Sequence, residues 1–422
     1  MTGEAKSVPH VVVVGAGVIG ISCAYFLARR GAAVTVLERS DVGAGASSGN
    51  AGTIATGHGP INKPGRVAQA IKSLADPLSP LYIAPRWDPA LARWLVHFSR
   101  RCTAAHLEHC LRALAPLSHA TPALFDELVR DERLRCGYRA AGYYEVFVTE
   151  AGWQRAVREA DAQARHGFRV EVLDGPTLRS RVPALGPQVR GGVFFPEAAT
   201  VDPQRFLLEL ADRARRRGAV VRIGAQVVDV LTERSRVTGV RTDDGASIPA
   251  DAVVLATGAY SASLVTRLGY RLPLQPAKGY HCDREPGFGG MPALDATCML
   301  GETSVFCTPM NGFLRLAGTL EFSGLNHEIR RGRLAQLTRA AARYLEVAGR
   351  TPARSEWCGL RPCLPDGLPA IGPAPRHAGL YVATGHAMLG LTLGPVTGQV
   401  IAEWVCDGAS SRDLRPFRVD RF

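Results

Sequence analysis

One arginine stands in an apolar, glycine- and proline-rich stretch near the end of the chain: Arg361 in "WCGLRPCLPDGLPAIG", Trp357 to Gly372. A buried guanidinium is costly unless something negative meets it. Its planar fork of N–H donors matches a carboxylate through two parallel hydrogen bonds. The acid near it in sequence is Asp366. Arg361 is therefore either paired within the protein, with Asp366 or another acid, or it holds an anion that is not part of the chain. Pro362, Pro365 and Gly367 make the surrounding turn stiff. At the other end, Gly15, Gly17 and Gly20 form G-x-G-x-x-G, and Glu38 follows Gly20 by 18 positions. That spacing suits a dinucleotide, with the glycines under the pyrophosphate and the acid on a ribose hydroxyl.

These residues need particular elements to place them. In "HVVVVGAGVIGISCAYFLARRGAAVTVLER", His10–Val14 reads as a buried strand and Ile21–Arg30 as a helix ended by Gly31. Ala33–Leu37 reads as a second buried strand closed by Glu38. The helix N-terminus would offer free N–H groups to phosphate. "RSDVGAGASSGNAGT" (Arg39–Thr53) is small and polar, suited to wrapping an extended cofactor. "ADAVVLATGAYS" (Ala250–Ser261) reads as another strand, ending in Thr257 and Gly258. "GLYVATGHAMLGLTLGPVTGQVIAEWV" (Gly379–Val405) reads as strand, glycine-rich turn and helix. A second helix N-terminus there would stabilise negative charge on a reduced ring. A nicotinamide domain would not need the chain to return at its far end, so FAD is expected. With no second G-x-G-x-x-G, the reducing equivalents come from the substrate itself.

The 422 residues suggest about two domains. The formal net charge of +12 would suit nucleic acid, yet the basic residues are dispersed and only four of 50 are lysine. No nucleic-acid partner is expected. Residues 11–28 carry no charge, but Gly15, Gly17 and Gly20 argue against a membrane span. No signal peptide frames them, and the ten cysteines show no framework spacing, which suggests reduced thiols in a cytoplasm. Cys102, His106, His109 and Cys110 would share one helix face and suit zinc by type. One helix rarely supplies four ligands, and no metal is expected.

The glycine triplet with Glu38, "SSGNAG", "LATGAYS", "PAKGYH", "WCGLRPCLPDGLPAIG" and "ATGHAMLGLTLGPVTG" together resemble the FAD-dependent amino-acid oxidase/dehydrogenase family. Within it the chain is similar to small-subunit bacterial D-amino acid dehydrogenases and D-hydroxyproline dehydrogenase-like proteins. The resemblance implies an α/β chain: a Rossmann-like, glutathione-reductase-type FAD-binding domain (residues 1–79, 200–268 and 357–422), and an α+β substrate domain of mixed sheet (80–199 and 269–356). The residues themselves agree in part. Residues 88–130 read as amphipathic helices, and 143–150 and 312–322 alternate like strands. Asp202–Val230 reads as a capped helix followed by a strand.

The resemblance also implies roles. Arg361 would bind the substrate carboxylate over the flavin. Tyr280 is a candidate second carboxylate contact or lid, or else a core tyrosine; Lys278 and His281 are weaker candidates. His386 either touches the ring edge or substrate, or only shapes its turn. Non-covalent FAD would rest on Gly15, Gly17, Val18, Ile19, Gly20, Glu38 and Arg39. It would also rest on Ala46, Ser47, Ser48, Asn50, Ala51, Gly52 and Thr53, on the Val228 backbone at the adenine, on Thr257 and Gly258, and on Gly385, Gly390, Leu391 and Thr392. Cys358 and Cys363 match no known flavin tether clearly. A small amino acid, its amine neutral and its Cα–H aimed at flavin N5, would lose hydride to give an imine and then a 2-oxo acid. Electrons would pass to a quinone, a protein or oxygen. Oxygen would make the chain a glycine or sarcosine oxidase-like enzyme; a tailoring enzyme for an unusual amino acid, or an electron-relay subunit, are further alternatives. The expected location is cytoplasmic, with peripheral contact at the inner membrane, and an oligomer is compatible.

Overall fold

The computed structural model describes residues 8–74, 79–287, 290, 292–346 and 353–422. The outer parts of the first expected domain segment, residues 1–7 and 75–78, lie outside the described residues. The chain builds two main sheets. The first has six strands in the order Ala370–Pro373, Leu380–Thr384, Ala252–Leu255, His10–Val14, Ala33–Glu38, Val220–Ile223. All neighbours run parallel except Ala370–Pro373, which is antiparallel at the edge. His10–Val14 is central and buried on both faces, which is why it is a valine run rather than an alternating one. Helices Val18–Arg29, Pro203–Arg216 and Gly390–Asp407 share one core on one face. A three-stranded antiparallel sheet, Val227–Glu233, Arg236–Thr242 and Ser247–Pro249, packs on the other.

The second sheet has nine strands. Eight follow the order Ser355–Cys363, Gln275–Arg284, Phe313–Phe322, Val305–Met310, Thr297–Leu300, Tyr143–Phe147, Gly191–Phe195, Glu171–Asp174. Leu81–Ile83 adds a parallel partner beside Leu320–Phe322. Helix Arg331–Tyr344 covers one face of this sheet with an apolar core, and the opposite face turns toward the first sheet.

Two expected segments sit differently from the boundaries read in the sequence. The boundary at 357 cuts strand Ser355–Cys363, whose nine residues all pair in register with Gln275–Arg284. Helix Ala104–Asp131, expected with the substrate domain, contributes Cys110, Leu114, Leu117, Leu124, Phe125 and Leu128 to the core of the six-stranded sheet. Its apolar stripe fits the helix Gly390–Asp407, and burial of that stripe decides its place. Among the described residues, no helix is long and apolar enough to cross a membrane.

Candidate functional site

A cavity of about 680 Å³ lies between the two sheets. At one end it follows the nucleotide motif. Gly15, Gly17, Val18 and Ile19 line it, then Glu38 and Arg39, the loop residues Ala46, Ser47, Asn50, Ala51 and Thr53, and Val228. Thr257, Gly258, Gly390 and Leu391 line it further along. Five of the expected cofactor residues do not reach it: Gly20, Ser48, Gly52, Gly385 and Thr392. Each has a structural task instead. Gly20 packs on the Gly15 carbonyl. The Ser48 hydroxyl donates to the Gly43 carbonyl (2.9 Å). Gly52 lies against Met310 and the Val201 carbonyl, and Gly385 against Leu364. The Thr392 hydroxyl accepts from Ala55 N–H (3.1 Å).

The residues present fit FAD. Neither Gly17, at the start of helix Val18–Arg29, nor Leu389, at the start of helix Gly390–Asp407, caps its helix with its own side chain, and Ser47 Oγ accepts from Val18 N–H (2.9 Å). Two helix N-termini thus open on one cavity, each favouring negative charge. The Glu38 carboxylate is held at its strand end by the N–H groups of Ala16 (2.8 Å) and Ser40 (3.0 Å). It keeps acceptor capacity for a ribose hydroxyl.

Arg361 lines the far end of the cavity. Its guanidinium donates to the Thr319 carbonyl (2.7 Å). Among the described residues no carboxylate pairs with it, and burial pushes its pKa below the ordinary value. Asp366, the acid nearby in sequence, is taken by Arg421 at 2.7 and 3.2 Å. Thr319 sits at φ 66°, in the left-handed region that a β-branched residue rarely adopts. It lies where the pairing of Gln275–Arg284 with Phe313–Phe322 slips between Lys278 and Tyr280. The bulge turns the Thr319 carbonyl toward the guanidinium and leaves the rest of the fork for another acceptor.

Tyr280 corrects its expectation as a carboxylate contact or lid. It borders the cavity, but its side chain belongs to the opposite face of the strand. Arg361 pairs with Ala277 and Tyr280 with Cys358, one position out of phase. Tyr280 is 1% exposed, packs in the core under helix Arg331–Tyr344, and donates to Glu321 (3.0 Å). Lys278 shares that face and faces Glu321 at 3.7 Å. His386 does line the cavity. Its Nε2 meets the Thr397 hydroxyl (3.0 Å) and its Nδ1 is buried with no hydrogen-bond partner among the described residues.

Sequence reasoning missed His58, Phe306, Tyr260, His327, Trp357 and Met388, all of which line the cavity. Tyr260 stacks under Arg39 (3.7 Å) and its hydroxyl meets His327 (3.1 Å). These residues come from loops and strands that lie together only after folding; Tyr260, Trp357 and Met388 stand inside the motifs quoted above, but nothing in their types marks them as cavity residues. Three of the zinc-like quartet are otherwise engaged, Cys102 with the Phe98 carbonyl (3.4 Å). His106 and Cys110 both bond the Asp366 carbonyl. Among the described residues no group of three or more such side chains is placed to hold a metal.

Burial lowers His58 and His281 from 6.5 to about 4, and His386 to about 3. All three are neutral in the folded protein at neutral pH. The unfolded chain binds protons at these sites below pH 6.5 while the native state does not, so stability is full above 6.5. It falls as pH drops from 6.5 toward 4. Each unit of depression is worth about 1.4 kcal/mol at most. The melting temperature should therefore decline through this window, before most carboxylates protonate. A flat profile between pH 6.5 and 4 would contradict the neutral, buried state of these rings.

The family model for FAD dependent oxidoreductases (DAO) matches residues 10–404. A D-amino acid dehydrogenase from Sinorhizobium medicae is 34% identical over 430 residues, covering 98% of this chain and 99% of its own. The solved glycine oxidase from Geobacillus kaustophilus is 26% identical, with a TM-score of 0.76 and coverage of 98% and 99%. L-proline dehydrogenase from P. horikoshii, 18% identical with a TM-score of 0.73 over 98% of this chain and 97% of its own, shares the fold. With its glycine turn, fixed acid and two helix ends on one cavity, the chain belongs to the FAD-dependent oxidoreductase family.

Proposed function

We propose that the protein oxidises the Cα–N bond of a D-amino acid or cyclic imino acid whose carboxylate is held by Arg361. One observation carries this reading: a cavity-lining guanidinium with no carboxylate partner among the described residues. The names of the D-amino acid dehydrogenase and glycine oxidase relatives support it. Bound FAD supplies the hydride acceptor. Gly15, Gly17, Val18 and Ile19 would hold its pyrophosphate, Glu38 a ribose, Val228 the adenine, and Gly390 and Leu391 the electron-accepting ring. Buried Cys358 and Cys363 are poor tethers, since burial raises both thiols, Cys363 to about 12. Neither thiol is suited to a covalent link, and FAD binding without one accords with this.

Arg361 fixes the carboxylate, and Thr319 fixes the guanidinium. Together they orient Cα, which is the larger part of the catalysis asked of the protein. Glu38 is the sole carboxylate among the cavity-lining residues, and it stands at the nucleotide end. Among the described residues that line the cavity no carboxylate stands at the Arg361 end to pair with an ammonium group, so the amine binds neutral and its lone pair assists loss of hydride. The imine that forms is hydrolysed to a 2-oxo acid and ammonia, or leaves as a cyclic imine. The acceptor on this reading is a quinone or a protein rather than oxygen, in keeping with the dehydrogenase name of the Sinorhizobium medicae relative.

Anaerobic bleaching of the flavin's visible band tests this, against D- and L-amino acids, prolines, hydroxyprolines and small N-methyl amines. Fast bleaching by a D-amino or imino acid, with little hydrogen peroxide on readmitting air, is the expected result. Abundant peroxide would favour the oxidase reading that the glycine oxidase likeness suggests. FAD-loaded protein that no amino or imino acid bleaches would sink the proposal.

A further inference from the structure

The loop that lines the cofactor cavity at residues 49–51 is held from outside, by the other sheet. Arg315 forms a bidentate pair with Asp283 at 2.8 and 3.0 Å, both nearly buried, and Ser355 donates to the same carboxylate (2.7 Å). The third arm of Arg315 donates to the carbonyls of Asn50 (3.0 Å) and Ser48 (3.4 Å). His281 Nδ1 donates to the Gly49 carbonyl (2.7 Å). A carbonyl only accepts, so the proton of this imidazole sits on Nδ1. The His281 ring stacks on Trp357, with centroids 5.2 Å apart and planes at 15°. That indole fills a notch that glycine alone leaves: a Cβ on Gly49 or Gly359 would come within 2.3 or 2.1 Å of it.

Three successive carbonyls of the loop thus point at the large sheet. In a trans peptide the N–H of the same plane points the opposite way. The N–H groups of Gly49 and Ala51 are therefore turned away from the sheet, and both residues line the cavity. Backbone N–H groups arrayed in this way suit the anionic or carbonyl acceptors of a cofactor.

We infer that Arg315 and His281 are positioning residues for FAD: by clamping the carbonyls of Ser48, Gly49 and Asn50 they aim the loop N–H groups at the cofactor. Both reach the cofactor only through the loop. The clamp shares its strands with the substrate end, since Ser355 and Trp357 lie on the strand that carries Arg361. Loop and substrate anchor are thereby held in one frame.

The test titrates FAD into deflavinated protein and follows flavin fluorescence, with the melting temperature of each apo-protein measured alongside. No substrate is needed, so the outcome is independent of which amino acid the enzyme oxidises. His281→Leu removes the donor and strands a buried carbonyl, and is expected to raise the Kd for FAD roughly tenfold or more. His281→Gln restores an N–H donor and should recover most of that loss. Arg315→Lys keeps a cation against Asp283 but loses the fork, and should weaken FAD by roughly tenfold as well. A purely structural role would lower the apo melting temperature in all three variants and leave the rescue by glutamine absent. FAD affinity within about twofold of wild type in both His281→Leu and Arg315→Lys would overturn the inference. If His281→Leu yields no folded protein, Arg315→Lys decides the question alone by the same criterion.

Discussion

Arg361→Met will lower kcat/KM for the carboxylate substrate by roughly a hundredfold to a thousandfold. Truncating one partner of a buried, hydrogen-bonded charge pair costs about 2–5 kcal/mol, and here the guanidinium faces the cavity with a single carbonyl to share it. Most of the loss should appear as a raised KM, because the carboxylate is held before and during the reaction alike. Some should appear in kcat, because a substrate pivoting at Cα no longer presents its hydrogen in line. Arg361→Lys keeps the charge without the fork and should fall between. FAD affinity should stay near that of wild type, since Arg361 lies away from the nucleotide end. Steady-state kinetics with FAD titrations on the same preparations check this, and a kcat/KM within about threefold of wild type would remove Arg361 from the substrate site.

A methyl group at position 20 is the second large effect. A Cβ on Gly20 would lie 1.9 Å from the Gly15 carbonyl oxygen, which is backbone and cannot rotate aside. Gly15 cannot retreat, because its φ is 103° and its own Cβ position is 2.6 Å from the Ala256 carbonyl oxygen. Helix Val18–Arg29 would have to lift off the central strand. Gly20→Ala should cost about 3 kcal/mol or more of stability and abolish FAD retention. Gly17→Ala meets only the Ser47 hydroxyl at 3.1 Å, which can give by a few tenths of an ångström while still accepting from Val18 N–H (2.9 Å). It should stay folded and lose FAD affinity more selectively. Thermal melts with and without added FAD separate the two. Equal melting temperatures would show that the close approach at Gly20 is dispensable.

The nucleotide end was legible because its chemistry is local. Strand, glycine turn, helix and Glu38 occupy a single run, and each glycine answers to a contact within that run or one strand away. Arg361 was legible as a misfit, an arginine amid apolar residues. Its alternative partner was not, because Asp366 meets Arg421 only when the C-terminus folds back 55 positions on. Tyr280 misled for a different reason. Which face a strand residue uses depends on pairing register, and a one-residue offset reverses it. Nothing in "PAKGYH" reveals that Ala277 lies opposite Arg361. His58 and Phe306 carry no motif at all. The loop clamp was invisible too, since Arg315 and Asp283 lie on strands whose neighbour relation only the fold defines.

The sheet order has a consequence for how the polypeptide is made. His10–Val14 emerges first, yet its neighbour Ala252–Leu255 comes some 240 residues later, and the next strand, Leu380–Thr384, lies near the other terminus. At roughly 5–20 residues per second, translation leaves the glycine turn waiting for tens of seconds beside an incomplete sheet. A nascent chain halted before residue 370 would carry Ala252–Leu255 with one hydrogen-bonding edge bare. The six-stranded sheet is thus completed only once Leu380–Thr384 has been made, and the outer edge of Ala252–Leu255 stays open to other partners until then.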